Sequence, residues 1–207
     1  MPRRVAASAR AVVVAVALAM GCLTSPVSAD WTFETVAVTN TPAPGGTVPF
    51  LGLSPVPVIN DAGDVTFSGT TTPAFGVFHT GLYQRLDGVN LLIVREGDAV
   101  PAAGGALIRE FDQFNIARAT MNASGDVTFR VELDTSGPGG VTNDNRFVLL
   151  KGSAASLAVV ARQGDVLPDG VVIAQVDSLP SINAAGDVGF AAAYIEGGAF
   201  RNRLLVA

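Results

Sequence analysis

The sequence predicts an all-β protein, built as a repeat array of about three units. The pattern Asn-x-x-Gly-Asp-Val-x-Phe occurs three times, starting at Asn60, Asn122 and Asn183, with spacings of 62 and 61 residues. Gly, Val, Thr and Phe are frequent and Lys is nearly absent, which is a β composition. Short apolar stretches alternate with clusters of Gly, Pro, Asn and Asp, as expected for short strands joined by turns.

The first 29 residues have the layout of a secretory signal peptide. A basic start is followed by an apolar run at residues 11–20 and by the small-x-small cleavage site Val27-Ser28-Ala29. The run is too short to span a bilayer as a helix, which needs about twenty residues. A lipoprotein signal with Cys22 as the lipidated residue is the alternative. We therefore predict a signal peptide at residues 1–29, a single β-repeat domain at residues 30–207, and a location outside the cytoplasm.

The charge of the predicted mature chain excludes some partners. Removing residues 1–29 removes three of the 13 basic residues and none of the 18 acidic ones, which leaves a net charge of −8. Nucleic-acid binding needs clustered Lys and Arg, so it is not expected. No stable membrane span is expected in the mature chain either. The only Cys lies in the predicted signal peptide, so no disulfide framework is predicted.

The residue types of the repeated signature predict a turn followed by a core strand. Asn starts the turn by bonding to main-chain N–H groups just ahead of it. Gly allows a positive φ, and the final Phe anchors the strand in the core. The predicted structural residues are Asn60, Gly63, Phe67, Asn122, Gly125, Phe129, Asn183, Gly186 and Phe190. A calcium site that uses Asp64, Asp126 and Asp187 is the alternative interpretation.

A second repeated motif indicates how the ends of the chain meet. Residues 91–101 read LLIVREGDAVP and residues 158–168 read AVVARQGDVLP, and residues 33–38 resemble the start of this motif. Each unit then has three to four short strands. We expect residues 33–38 to pair with residues 203–206, so that an N-terminal strand completes the last unit of a propeller-like array. An open solenoid-like stack, a single sandwich and a ring completed by a second chain are the alternatives.

No catalytic residue, metal site or cofactor is predicted. His79 is the only His and has no serine-nucleophile motif to serve. Two carboxylates would suffice for glycoside hydrolysis. Asp98 and Asp165 recur with the unit beside Arg95 and Arg162, which favours turn or ion-pair contacts. The unrepeated acids Asp112, Asp134, Asp144 and Glu196 are better candidates for catalysis, although their spacing selects no pair.

Two poorly repeated loops are the places to look for a ligand, because loops carry variation and binding. They are residues 70–80, in which Phe75 and Phe78 are suited to stack on a sugar, and residues 134–145.

The signatures give the chain a resemblance to a known group. It resembles the exported bacterial tandem-repeat proteins that carry Asn-x-x-Gly-x-x-x-Phe repeats and often one of several C-terminal anchors. The resemblance covers residues 33–207 and implies export and repeat architecture, with no catalytic residues. We therefore expect a non-enzymatic structural or binding module at the cell envelope or outside the cell, with a glycan or protein partner. A carbohydrate-binding or carbohydrate-active propeller-like protein is the alternative.

Overall fold

The computed structural model describes residues 33–74, 77–111, 119–177 and 179–207, and the predicted signal peptide lies outside these ranges. The chain divides into two compact units, Met1–Glu34 and Thr35–Ala207, and the strands belong to the second unit. The regular structure of the described residues is fifteen β-strands and a short 3-10 helix at Pro101–Ala103. This confirms the all-β prediction. In the same part of the chain, no helix has the length and hydropathy to cross a membrane.

The strands form three antiparallel sheets that follow one another along the chain. The first sheet contains β1 (Phe50–Leu53), β2 (Val58–Ile59), β3 (Val65–Ala74), β4 (Val77–Leu86) and β5 (Val89–Arg95). The second contains β6 (Ala99–Val100), β7 (Ala106–Phe111), β8 (Thr120–Met121), β9 (Val127–Leu133), β10 (Phe147–Ser153) and β11 (Ser156–Arg162). The third contains β12 (Ile173–Val176), β13 (Ser181–Ile182), β14 (Val188–Glu196) and β15 (Ala199–Val206). Each signature leads into the central strand of its sheet, which is β3, β9 or β14.

The three sheets share one pairing plan. Two short strands pair with one edge of the central strand: β1 and β2 with β3, β7 and β8 with β9, and β12 and β13 with β14. The other edge of the central strand pairs with β4, β10 or β15. In the first two sheets a fourth strand, β5 or β11, then pairs with β4 or β10. Within the described ranges, β15 has no fourth strand beside it.

Successive sheets pack against each other through apolar side chains. Leu82 and Val94 of the first sheet share a core cluster with Phe129 of the second sheet. Leu149 of the second sheet shares a core cluster with Phe190 of the third. Phe129 and Phe190 therefore face the preceding sheet, while the opposite faces of the first and second sheets contact the sheet that follows. This alternation of faces follows from the two-residue period of a β-strand.

The same turn leads the chain into each of the three sheets. One main-chain hydrogen bond of 2.8 Å joins it to the following sheet in every case: Asn40 N–H to Phe50 O, Gly97 N–H to Ile108 O, and Gly164 N–H to Ile173 O. The donor residue has a left-handed conformation each time, with φ of 64°, 87° and 91°. We call residues 38–41, 95–98 and 162–165 the linking turns. The first of them has Asn where the other two have Gly, and Asn tolerates this conformation better than most residues.

The expected closure of the array by an N-terminal strand is wrong in this structure. Residues 35–38 form no strand, and β15 pairs only with β14 among the described residues. Val36 and Ala37 instead pack on the first sheet, against the cluster of Phe50, Phe67 and Tyr83. Burial of these side chains holds the segment on the sheet that it leads into, so the third sheet keeps an open edge.

Candidate interaction site

The signature turns are built around the side chain of their Asn. Asn60 Oδ1 accepts hydrogen bonds from the N–H groups of Ala62 and Asp64, at 3.0 and 2.9 Å. Asn122 Oδ1 accepts the equivalent bonds from Ser124 and Asp126, at 3.0 and 2.9 Å. Asn183 Oδ1 accepts one from Asp187 at 2.8 Å. Each Asn side chain thus satisfies main-chain donors that the turn leaves without a strand partner.

The signature Gly and Phe residues occupy repeated environments as well. Gly63, Gly125 and Gly186 have φ values of 86°, 82° and 90°, in the left-handed region where a Cβ is unfavourable. Phe67, Phe129 and Phe190 are all buried. Phe67 stacks on Tyr83 with ring centroids 5.6 Å apart. The structure therefore places the six Asn and Gly residues in the turns, Phe129 and Phe190 in the inter-sheet cores, and Phe67 in the cluster between the first sheet and the segment that precedes it.

The signature carboxylates take part in the same turns. Asp64 Oδ2 accepts a hydrogen bond from Asn60 Nδ2 at 3.0 Å, and Asp187 Oδ2 accepts one from Asn183 Nδ2 at 2.8 Å. Within the described ranges, no group of three or more His, Cys, Asp or Glu residues is arranged to hold a metal ion. Asp64 and Asp187 therefore accept hydrogen bonds from the Asn of their own turn.

Neighbouring signature turns are connected by polar side chains. Gln84 Nε2 donates to the carbonyl of Gly125, and Lys151 Nζ donates to the carbonyl of Gly186 at 2.5 Å. The two donors have equivalent positions in their sheets. Each is paired with the variable residue between the Val and the Phe of its signature, which is Thr66 for Gln84 and Thr128 for Lys151. Asn60 Nδ2 adds a bond of 3.1 Å to the carbonyl of Asn122.

The third sheet repeats these contact positions but presents them to solvent. Leu82 in β4 and Leu149 in β10 are 2% and 0% exposed, because the following sheet covers them. Leu204 has the same place in β15, by its pairing with Ala191, and is 88% exposed. Val206, at the position of Gln84 and Lys151, is 78% exposed. We call the side of the third sheet that carries these residues the outer face.

A shallow groove of about 270 Å³ lies on the outer face. It is lined by Gln175, Asp177, Ala191, Ala193 and Asn202. The two alanines have the positions that Arg130 and Glu132 occupy in the second sheet. Short side chains at these positions leave the space that the longer ones fill in the second sheet.

The carboxylates of the repeated Arg-x-Gly-Asp segments stabilise the linking turns. Asp98 accepts bonds from the N–H and from Nε of Arg95, at 3.0 and 3.2 Å. Asp165 accepts the bond from the N–H of Arg162 at 2.7 Å, while Nε of Arg162 donates to the carbonyl of Asn145 at 2.6 Å. The predicted turn contact is thus present at both aspartates, and the side-chain ion pair is present in the first.

The unrepeated candidates that the structure describes belong to segments other than the signature turns. His79 Nδ1 is 3.0 Å from the carbonyl of Glu96. The N–H and hydroxyl groups of Ser136 bind Asp134 and hold the pKa of its carboxyl below the usual range. Asp144 and Glu196 are exposed, and so is Phe78. Asp112 and Phe75 lie outside the described residues.

Sequence reasoning missed Gln84 and Lys151, and it predicted Leu204 only as part of residues 203–206, paired with residues 33–38 of the same chain. These residues differ in type or lie at a turn-dependent distance from the signature, so no motif identifies them. Their shared role appears only when the strand registers are compared. An alignment of β4, β10 and β15, made from their pairing with the central strands, was the signal that could have identified these shared positions.

Comparison with known proteins identifies the family of the chain. The model of a family of unknown function, DUF7453, matches residues 17–205. No curated protein and no solved structure matches the chain. Since the matched residues include nearly all of the 207 residues, the chain belongs to this family of unknown function, DUF7453.

Proposed function

We propose that the chain is an exported structural or binding module, which contacts its partner at the cell envelope or outside the cell. It acts without catalysis, as the resemblance to exported Asn-x-x-Gly-x-x-x-Phe repeat proteins implies. The outer face of the third sheet is the proposed contact surface. The observation that carries this proposal is the exposure of Leu204, because its two equivalents, Leu82 and Leu149, are buried by a neighbouring sheet.

The composition of the outer face supports a contact role. Phe200 and Ile195 are paired in the β14–β15 hairpin, and their exposed side chains extend the apolar surface beyond Leu204 and Val206. Contiguous exposed apolar side chains of this kind mark interaction sites in soluble proteins. A polar groove lined by Gln175 and Asn202 lies beside them. Apolar centres flanked by polar groups are the usual composition of protein interfaces.

The proposal treats the three sheets as successive blades of an open, propeller-like array. Two features support this description: the shared pairing plan, and the linking turn that leads from the fourth strand of one sheet into the next. In such an array each blade contacts only its neighbours, so the last blade offers a surface shaped to receive another element.

Fractionation and co-sedimentation test the proposal. The full chain is expected in the medium or the envelope fraction of the producing cells and should be degraded by protease added to intact cells. Purified protein should co-sediment with isolated envelopes, and Leu204→Lys should lower the bound fraction at least about tenfold. Val172→Lys is the matched control, because Val172 is an exposed apolar residue that precedes β12 and lies outside the β14–β15 hairpin.

Three results would contradict the proposal: retention in the cytoplasm, no envelope binding, or equal binding by the two variants and the original chain. If soluble glycans compete with the envelope for the protein and Leu204→Lys binds as well as the original chain, the carbohydrate-binding alternative is favoured. Turnover of those glycans would overturn the non-catalytic assignment.

A further inference from the structure

In the part of the chain that the structure describes, the two ends of the sheet array lack complementary elements. Strand β15 has the place of β4 and β10 but, within that part, no fourth strand beside it. Residues 35–38 precede a linking turn, as β5 and β11 do, but form no strand. Positions before the linking turns are compared by counting back from the left-handed residue of each turn. Three residues before it stand Ala37, Val94 and Ala161. Four residues before it stand Val36, Ile93 and Val160.

We propose that copies of this chain associate head to tail, with β15 of one copy pairing antiparallel with residues 35–38 of the next. This inference rests on the proposed function, because it names the partner of the outer face as a second copy of the chain. The interface would be a third example of the junction that the chain already contains twice, between its first and second sheets and between its second and third.

The strand registers define this pairing. Leu82 is paired with Val94 and Tyr83 with Leu92, with a bulge that skips Ile93. Leu149 is paired with Ala161 and Leu150 with Val159, with a bulge that skips Val160. The third junction therefore pairs Leu204 with Ala37 and Leu205 with Thr35 of the next copy. Val36 has the skipped position, and its carbonyl already accepts a bond from Asn90 Nδ2 at 2.6 Å.

The side chains that lie against the signature Gly residues support the same junction. Within the chain, the signature Gly of the second and third units lies against a side chain of the preceding unit: Gly125 against Leu86 and Gln84, and Gly186 against Lys151. The Cβ position of Gly63 has no such neighbour within 4 Å among the described residues. The first signature turn is thus open on the side where the second and third are covered. The outer face carries Val206 at the position of those covering residues.

The chemistry of the proposed interface is that of the existing junctions. The main-chain groups of an open edge strand gain partners, and Leu204 leaves water as Leu82 and Leu149 do. A head-to-tail contact uses two different surfaces, so it produces an open filament or a closed ring, and the smallest such ring is two copies joined by two identical junctions.

Disulfide trapping between two singly substituted chains tests the proposal. In a Cys22→Ser background, Leu204→Cys and Ala37→Cys chains are mixed and oxidised. The mixture should give a disulfide-linked pair that neither chain gives alone, because each chain alone has only one half of the junction. Ala37→Cys mixed with Val172→Cys, at another exposed position, should remain unlinked.

Sedimentation velocity gives the second measurement. The original chain should form species heavier than one chain as its concentration rises to about 100 µM, and Leu204→Lys should remain a single chain. Disulfide formation by Leu204→Cys alone would overturn the proposal, because it would show that β15 pairs with itself. A single-chain mass at every concentration would also overturn it. Envelope binding without self-association would overturn this inference and leave the proposed function standing.

Discussion

Gln84 Nε2 donates a hydrogen bond to the main-chain carbonyl of Gly125, 41 residues further along the chain. Gln84 is fully buried, and its Nε2 is also 3.4 Å from Met121 Sδ, while Oε1 has no hydrogen-bond partner. The bond connects the first sheet to the signature turn of the second unit. Its equivalent in the next junction is the bond from Lys151 to Gly186.

Replacement of Gln84 should show how much this connection contributes. Gln84→Ala leaves a cavity and a carbonyl without its donor, so it should lower the free energy of unfolding by about 2–4 kcal/mol. Gln84→Met keeps the volume and removes the unpaired Oε1, so it should cost about 1 kcal/mol. Urea unfolding monitored by circular dichroism measures both variants. Both variants lose the hydrogen bond to Gly125, and only Gln84→Ala also loses the packing. Equal costs would therefore show that the hydrogen bond, rather than packing, determines the effect.

The Asn of the second signature should contribute more than that of the third. Asn122 is buried and its side chain accepts two main-chain N–H bonds, whereas Asn183 is exposed and accepts one, so removal of the former loses more. We expect Asn122→Ala to cost about 2–3 kcal/mol and Asn183→Ala about 1 kcal/mol. The same urea titration compares them. A larger cost for Asn183→Ala would contradict this account of the turns.

Two signature glycines separate backbone conformation from side-chain crowding. Both Gly63 and Gly125 have a positive φ, so alanine should cost about 1–2 kcal/mol at either position. A Cβ at Gly125 would also lie 3.0 Å from Leu86 Cδ2, whereas at Gly63 it would meet open space. Gly125→Ala should therefore cost about 1–2 kcal/mol more than Gly63→Ala. Thermal unfolding of the pair checks the difference, and equal melting temperatures would contradict it.

The pair of Asp169 and Arg203 should make stability depend on pH. The Arg203 guanidinium bonds to Asp169 and lowers the pKa of its carboxyl below the ordinary value of 3.8. A carboxyl with a depressed folded-state pKa stabilises the fold above its unfolded-state pKa, and this contribution is lost as the pH falls through the folded-state pKa. The difference in urea midpoint between the original chain and Asp169→Asn should thus be present at about pH 6 and shrink below about pH 4.

Arg203→Gln serves as the comparison in that experiment. It removes the same pH-dependent contribution together with the stacking of Arg203 over Tyr194, whose ring centroid is 4.6 Å from the guanidinium carbon. Its midpoint should be lower than that of the original chain at every pH. A difference between Asp169→Asn and the original chain that grows towards low pH would contradict the assignment.

The all-β class was predictable from the sequence because local chemistry dictates it. Asn and Gly at fixed positions of a turn, and Phe three residues after Asp, require no long-range information to interpret. The register of β4 against β3 was not predictable in the same way, since Gln84, Lys151 and Val206 share a position but no chemical type. The first linking turn was hidden for a similar reason, because Asn40 stands where Gly97 and Gly164 mark the other two.

The position of residues 35–38 was beyond a sequence argument. Their resemblance to β5 and β11 correctly indicates what precedes a linking turn, but it does not specify which sheet the segment packs on. That choice depends on the burial of Val36 and Ala37 against Phe50 and Tyr83. The outer face became recognisable only from burial, because Leu204 differs from Leu82 and Leu149 in exposure and not in kind.

The linking turns have a consequence for how such a chain changes length. Because Asn40, Gly97 and Gly164 hold the same backbone path, a recombination event that joins the gene at two of these turns restores an intact turn. Deletion of residues 97–163, for example, places Glu96 before Gly164, where Gln163 stands now. Duplication of the same segment adds a sheet whose two faces are of the kinds that already meet at the two existing junctions. Whole periods can therefore be gained or lost in evolution without any new packing surface having to arise.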